Sequence, residues 1–288
     1  MTAPTGRLRD VLASSCAVLG VPGTTDTLGL STLAGDVRQL VVFLVDGLGY
    51  HLLPAAAPVA PVLADVLAGR LGSLTELACS FPSTTPTSLV TLGTGAEPGE
   101  HGVLGFTLAV PGTDRVLTHV AWWGDPPPEE WQPVPSLLDR AVAAGVSCAI
   151  VTRPQFRHSG LTVSAYGTEP AFFGAADLKA IAEHVRVALG QGFELVYAYH
   201  PSVDTMMHLY GVGSRQWLAA VARVDATIAV VADALPAGSA LLVIADHGGL
   251  NVSATARVDA GTDPRLSAGV RVVAGEPAAL AATRKTPT

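Results

Sequence analysis

The chain has 288 residues, of which 49% are hydrophobic and only 14% charged. That balance excludes a disordered chain and supports a large buried core. The net charge of −7 and the lack of any basic run argue against a nucleic-acid polymer as partner.

The N-terminal stretch places Arg7, Arg9 and Asp10 around a short apolar segment, which is not the layout of a secretory signal. No charge-free apolar run reaches the roughly 18 residues that suggest a bilayer span. A cytoplasmic location away from the membrane is the default expectation. Cys16, Cys79 and Cys148 are far apart, in apolar surroundings, without CxxC spacing. They read as buried reduced thiols, not as a disulfide or zinc–thiolate framework.

Gln39–Val45 (QLVVFLV) is the first short, unbroken apolar run, the mark of a strand covered on both faces. It ends in Asp46, followed by Gly47 and Gly49. A carboxylate in that place stands at the carboxyl edge of the sheet, where open α/β sheets hold ligands. A helix-capping aspartate is the plainer alternative. Ala55–Ala68 reads as a helix, rich in Ala, Leu and Val. Then comes FPSTTPTSLVTLGTGAEPGEHG, Phe81–Gly102. Its Ser/Thr cluster and Pro86 precede an apolar helical stretch, so free N–H groups there favour an anion. A threonine hydroxyl in that setting can act as a nucleophile if a metal lowers its pKa, although Ser/Thr-rich caps are also ordinary.

Residues 106–135 break the pattern. Thr107–Val110 and Val116–Ala121 read as a hairpin around a PGTDR turn, followed by an irregular segment with Trp122, Trp123 and Trp131. We read the segment as a small cap over the site. Its tryptophans offer faces for a nucleobase, or simply pack the loop.

Further strands are expected at Ser147–Thr152, Phe193–Tyr199, Ala240–Ala245 and Val270–Ala274, and helices at Ser136–Ala144, Ala176–Leu189 and Gln216–Ala234. The alternation predicts an α/β fold, a three-layer sandwich with a mostly parallel central sheet. We read residues 1–288 as a single domain, with 282–288 an unstructured tail. Two of the later strands run into further motifs. After FELVYAY come Asp204 and His208, four apart and therefore on one helix face, a pair suited to Zn²⁺. After ALLVIA come Asp246 and His247, with Gly248 and Gly249 behind. Three strand ends carrying an aspartate, two with a histidine nearby, converge if the strands are neighbours.

The order of these motifs resembles that of the alkaline phosphatase superfamily, and in particular its nucleotide pyrophosphatase/phosphodiesterase branch. Asp46 matches the early metal-binding aspartate. Pro82–Thr85, Thr94–Gly95 and Pro98–Gly102 match the threonine segment, the T-G and the P-x-x-H-G. Asp204 and His208 fit D-x-x-x-H, and Asp246–Gly248 fit D-H-G. The likeness spans residues 39 to 250.

The resemblance implies a phosphodiesterase or nucleotide pyrophosphatase acting on a small phosphate ester or nucleotide. It implies two divalent metal ions, usually zinc. Asp46, Asp246 and His247 would hold one, which also meets Thr85. Asp204, His208 and a late histidine would hold the other. The nucleophile falls on Thr85, with Thr84 the adjacent alternative. His101 reads as a structural residue, and the superfamily's habit implies a homodimer. Arg153 and Arg157 are candidate phosphate-binding groups. Two departures stand out. No histidine follows His247, so the chain reads as C-terminally short, with a weakened second metal site or a substitute such as His200. Phe106 stands about where many relatives carry an asparagine that contacts the phosphoryl group. A non-catalytic or truncated relative that binds a phosphorylated small molecule is the alternative reading.

Overall fold

Strand β1 (Gln39–Val45) lies inside the main sheet of the computed structural model, which describes residues 6–256, 258, 262–276 and 279–284. Apart from a short parallel pairing of Gly6–Arg7 with Leu77–Ala78, the other strands, numbered along the chain, are β2 (Thr107–Ala109), β3 (Val116–Thr118), β4 (Cys148–Thr152), β5 (Ala171–Gly174), β6 (Leu195–His200), β7 (Ser239–Ile244), β8 (Val270–Glu276) and β9 (Ala279–Arg284). The main sheet has the order β5-β4-β6-β1-β7, with every pairing parallel. A helical crossover is needed between parallel neighbours, so helices cover both faces.

The faces can be read from β1 itself, because successive side chains point to opposite sides. Val41, Phe43 and Val45 pack against Ile181 and Val185 of helix α5 (Leu178–Gly190) and Trp217, Val221 and Val224 of α7 (Arg215–Asp233). Leu40, Val42 and Leu44 pack against Leu12 of α1 (Asp10–Val18), Leu92 of α2 (Thr85–Thr94), Leu138 of α3 (Leu137–Ala143) and Leu161 of α4 (Gly160–Tyr166). The result is a three-layer α/β sandwich. The continuous apolar run of β1 follows from burial on both sides, with each of its residues from Leu40 to Val45 at most 1% exposed.

Four expectations need correction. The segment Ala55–Ala68 is not one helix: Leu53–Ala56, a 3-10 turn at Ala57–Val59 and Pro61–Leu67 follow each other, because Pro58 and Pro61 remove N–H donors and clash with a continuing helix. Val270–Ala274 is a strand, but of a different sheet: β8 pairs antiparallel with β9 and β2, giving the order β9-β8-β2-β3. The fifth strand of the main sheet is instead the edge strand β5, whose four half-exposed residues give too short a signal to read. Within the tail, residues 282–284 belong to β9, since pairing with β8 supplies the backbone partners; 285–288 lie outside the described residues. The hairpin between residues 107 and 118 is present, with Thr107 opposite Thr118.

Candidate active site

The carboxyl ends of β6, β1 and β7 lie side by side, so the residues that follow them meet at one edge. Val45 is in register with His200, and Leu44 with Ile244. Directly beyond stand Asp46 and Asp246, and Asp204 lies in the first turn of α6 (Ser202–Tyr210). The three connections touch. The Asp204 N–H donates to the Asp46 carbonyl at 3.1 Å, and the Gly47 N–H donates to Asp246 Oδ1 at 3.0 Å. Glycine is required here. Gly47 has φ +75°, and a Cβ on it would lie 2.9 Å from Asp204 Cβ; a Cβ on Gly49 would lie 2.7 Å from Gly248 Cα. Side chains at either position would push the three loops apart.

Asp46, Asp246 and His247 are all buried, and one ligand atom from each lies within 4.8 Å of the others. His247 Nδ1 lies 2.8 Å from the Gly248 carbonyl. A carbonyl only accepts, so this nitrogen carries the proton, and the Nε2 lone pair is free to face the carboxylates. Nε2 stands 3.5 Å from Asp46 Oδ1 and 3.5 Å from Asp246 Oδ2. Thr85, at the first turn of α2, brings its Oγ1 to 3.0 Å from His247 Nε2 and 3.3 Å from Asp46 Oδ1. Thr84 precedes the helix in extended conformation, with its side chain buried, and makes none of these contacts.

The electrostatics of the group are unfavourable without a cation. Burial raises the Asp46 carboxyl well above the usual carboxylate range, and the charges of Asp246 and Asp204 raise it further. Asp204 is also raised by burial, opposed by His208 and His247. Asp246 Oδ2 is buried without a hydrogen-bond partner. Among the described residues, no Lys or Arg pairs with any of the three aspartates. A buried carboxylate cluster with an orphaned oxygen and an imidazole lone pair fits a divalent cation held by oxygen and nitrogen.

Asp204 and His208 form a second, looser pair, Oδ1 to Nε2 at 3.3 Å, with the His208 side chain 74% exposed. Among the described residues, no third His, Cys, Asp or Glu completes this pair. His200 does not join it. Its Nδ1 lies 3.0 Å from Ser202 Oγ, and burial followed by the nearby Arg153 charge lowers its pKa to about 4.

Other sequence candidates fall elsewhere. Trp122 is 1% exposed, set edge-on to His119 and Trp131 and against Gly160 of α4. Its Nε1 donates to the Pro126 carbonyl. It packs the loop and has no face left for a base, which corrects that expectation. Trp123 is 62% exposed. Arg153 follows β4 on the His200 side and does not line the pocket beside Thr85. Phe106 directly precedes the hairpin and is 39% exposed, and its side chain supplies no hydrogen-bond donor. His101 is fully buried: Val103 N–H donates to its Nδ1, so Nε2 donates to Thr91 Oγ1 at 2.9 Å. Cys16 and Cys148 are buried, each thiol pushed up to about 12 by burial. Cys79 is exposed, 3.3 Å from Ser83 Oγ, because it lies just after the two-residue, half-buried strand Leu77–Ala78.

One contributor was missed. Tyr199 donates its hydroxyl to Asp46 Oδ2 at 2.5 Å. The available signal was a phenol at the end of a strand otherwise covered on both faces, since a buried tyrosine hydroxyl needs a partner.

The profile of the type I phosphodiesterase / nucleotide pyrophosphatase family matches residues 40–285. The chain belongs to that family. Solved structures share the fold of this phosphodiesterase-family chain at low identity. Phosphonoacetate hydrolase from Sinorhizobium meliloti 1021, in complex with phosphonoformate, is 21% identical with a TM-score of 0.54, over 74% of this chain and 57% of its own. Murine ectonucleotide pyrophosphatase / phosphodiesterase 5 is 16% identical with a TM-score of 0.63, over 78% of this chain and 61% of its own. An inactive form of the murine protein in complex with AMP has a TM-score of 0.62 at 16% identity, over 78% of this chain and 60% of its own. The chain thus spans about three fifths of the length of these proteins. No curated protein sequence matches it. Among the described residues, no helix is long and apolar enough to cross a membrane.

Proposed function

We propose that the chain hydrolyses small phosphate esters of the phosphodiester or pyrophosphate type, with Thr85 as nucleophile. The observation that carries the reading is the position of Thr85 Oγ1. It lies within hydrogen-bond reach of His247 Nε2 and Asp46 at a helix N-terminus, where backbone N–H groups favour an incoming anion. Thr85 Oγ loses its proton to solvent and bonds to phosphorus as the bond to the leaving oxygen breaks and that oxygen takes up a proton; water then cleaves the phosphothreonine, releasing the phosphate product and returning a proton to Oγ. Asp46, Asp246 and His247 would hold one divalent ion beside Thr85, and Asp204 and His208 would contribute to a second, weaker site; zinc suits both donor sets. Bound there, such ions would supply the positive charge that neutralises the transferring group and lowers the hydroxyl's pKa. Tyr199 fixes the Asp46 carboxylate, and Gly248 fixes the His247 tautomer.

A second reading has an observation of its own. The Asp204/His208 pair has two ligands where catalytic zinc normally has three, which favours a relative that binds a phosphorylated small molecule without turning it over. Thr85→Ala separates the two. The catalytic reading expects turnover of a p-nitrophenyl phosphodiester to fall by about four orders of magnitude or more while bound metal is retained. Unchanged turnover removes Thr85 from the role of nucleophile. An unmodified chain that takes up zinc and binds phosphate esters but hydrolyses none supports the second reading.

A further inference from the structure

Beside Thr85 the fold leaves a pocket of about 70 Å³ between α2, α4 and the sheet. Its wall includes Leu89, Ile150, Leu161, Tyr166, Tyr197 and Tyr199, and no residue lining it is charged. Leu89 follows Thr85 by one helical turn, so the pocket opens on the face of α2 that presents the hydroxyl.

Most polar atoms on its border are already engaged, the Tyr197 O–H being a donor left over. Thr152 Oγ1 donates to the Tyr199 carbonyl at 3.3 Å, Tyr166 to the Tyr197 hydroxyl at 2.5 Å, and Tyr199 to Asp46 at 2.5 Å. Ser159 donates to the Phe156 carbonyl at 3.1 Å. A guest with several donors and acceptors would leave most of them unpaired there, and a charged guest would lose its hydration without compensation. The size points the same way. About 70 Å³ is roughly half of the ~150 Å³ apolar cavity that holds a benzene ring, too little for a nucleobase and enough for a short alkyl chain.

Resting on the phosphoesterase reading above, we propose that this pocket is a specificity site for a short, uncharged alkyl group carried on the phosphorus of the substrate. In-line attack by Thr85 Oγ expels the leaving oxygen on the side opposite the nucleophile. The pocket opens beside Oγ itself, so it receives the substituent that stays on phosphorus. Substrates are then alkylphosphonate monoesters or diesters with one small alkyl ester group. Trp122 and Trp123 take no part in this recognition.

The test compares p-nitrophenyl methylphosphonate, p-nitrophenyl butylphosphonate and the p-nitrophenyl ester of a nucleoside monophosphate, which share one leaving group, on the zinc-loaded chain. The butyl ester is expected to exceed the methyl ester in kcat/KM by about 10-fold or more. Val120, 42% exposed on the pocket lining, is replaced by Trp as a plug, and Thr162→Phe fills the pocket from α4. Either variant is expected to bring the butyl-to-methyl ratio down to about 1. Calorimetry of butylphosphonate against methylphosphonate on zinc-loaded Thr85→Ala gives a readout without turnover, with tighter butyl binding expected. Equal kcat/KM for butyl and methyl overturns the assignment, as does a ratio that both fillings leave intact. A nucleotidyl ester preferred over the butyl ester and indifferent to both fillings overturns it too. Hydrolysis of none of the esters, with butyl selectivity in binding that a filling removes, leaves the pocket supported and sinks the catalytic reading alone.

Discussion

The same sheet edge carries two unequal groups of ligand residues. Asp46, Asp246 and His247 come from the ends of two adjacent strands, the inner β1 and the edge strand β7, are buried, and bring one ligand atom each within 4.8 Å of the others. Asp204 and His208 come from one turn of one helix, and the His208 side chain is 74% exposed. Neighbouring strand ends tied together, as by the Gly47 N–H donating to Asp246 Oδ1, fix their side chains before any ligand arrives. A helix lying over the edge supplies two residues on one face and leaves the rest of the coordination to other segments. Preorganisation here follows from which kind of element delivers the ligand, more than from the ligand types, since both groups contain Asp and His.

The largest effect is expected at the buried group. Asp246→Ala should abolish tight zinc binding beside Thr85 and lower phosphodiester turnover by about three orders of magnitude or more; turnover within tenfold of the parent breaks the comparison. Asp46→Asn should show a change of sign. Removing one of the clustered buried charges is expected to raise the melting temperature of the zinc-free chain and to shrink the rise that zinc produces. A variant less stable than the parent in both states contradicts the cluster's electrostatic cost. Tyr199→Phe keeps the ring and removes the donor to Asp46. It should weaken zinc at the buried group by roughly 10- to 100-fold, measured by competition with a chelator. Restoration of parental affinity would mean that the phenol only packs.

The smallest effect concerns the frame that holds Thr85. Burial lowers the His101 pKa to about 4. The unfolded chain therefore binds more protons than the folded one between the usual 6.5 and about 4, so stability falls as pH drops through that window. His101→Gln should flatten part of this loss in pH-dependent denaturant titrations; an unchanged slope assigns the loss to other groups.

The sequence made the buried group easier to read than the looser pair. Continuous apolar runs ending in Asp46 and Asp246 signal both strands and their carboxyl ends; burial on two faces removes every polar interruption from β1, and β7 keeps an apolar run although it is a half-buried edge strand. The parallel sheet and its covering helices follow from the same pattern. What stayed illegible depended on tertiary packing. Strand β5 is a half-exposed edge of four residues. Strand β8 carries an ordinary apolar pattern that does not say which sheet receives it. The packing of Trp122 depends on Gly160, where a Cβ would lie 2.2 Å from the indole ring. The tyrosines of β6 gave no sign of which would meet Asp46 until the register of Val45 with His200 was fixed.

The most direct measurement is zinc content per chain after reconstitution and desalting, on the parent, Asp246→Ala and His208→Ala. The account expects the parent to retain one tightly held ion, His208→Ala to keep it, and Asp246→Ala to lose it. A parent that retains no zinc, or equal loss in both variants, contradicts the claim that the buried strand-end group is the preorganised metal site.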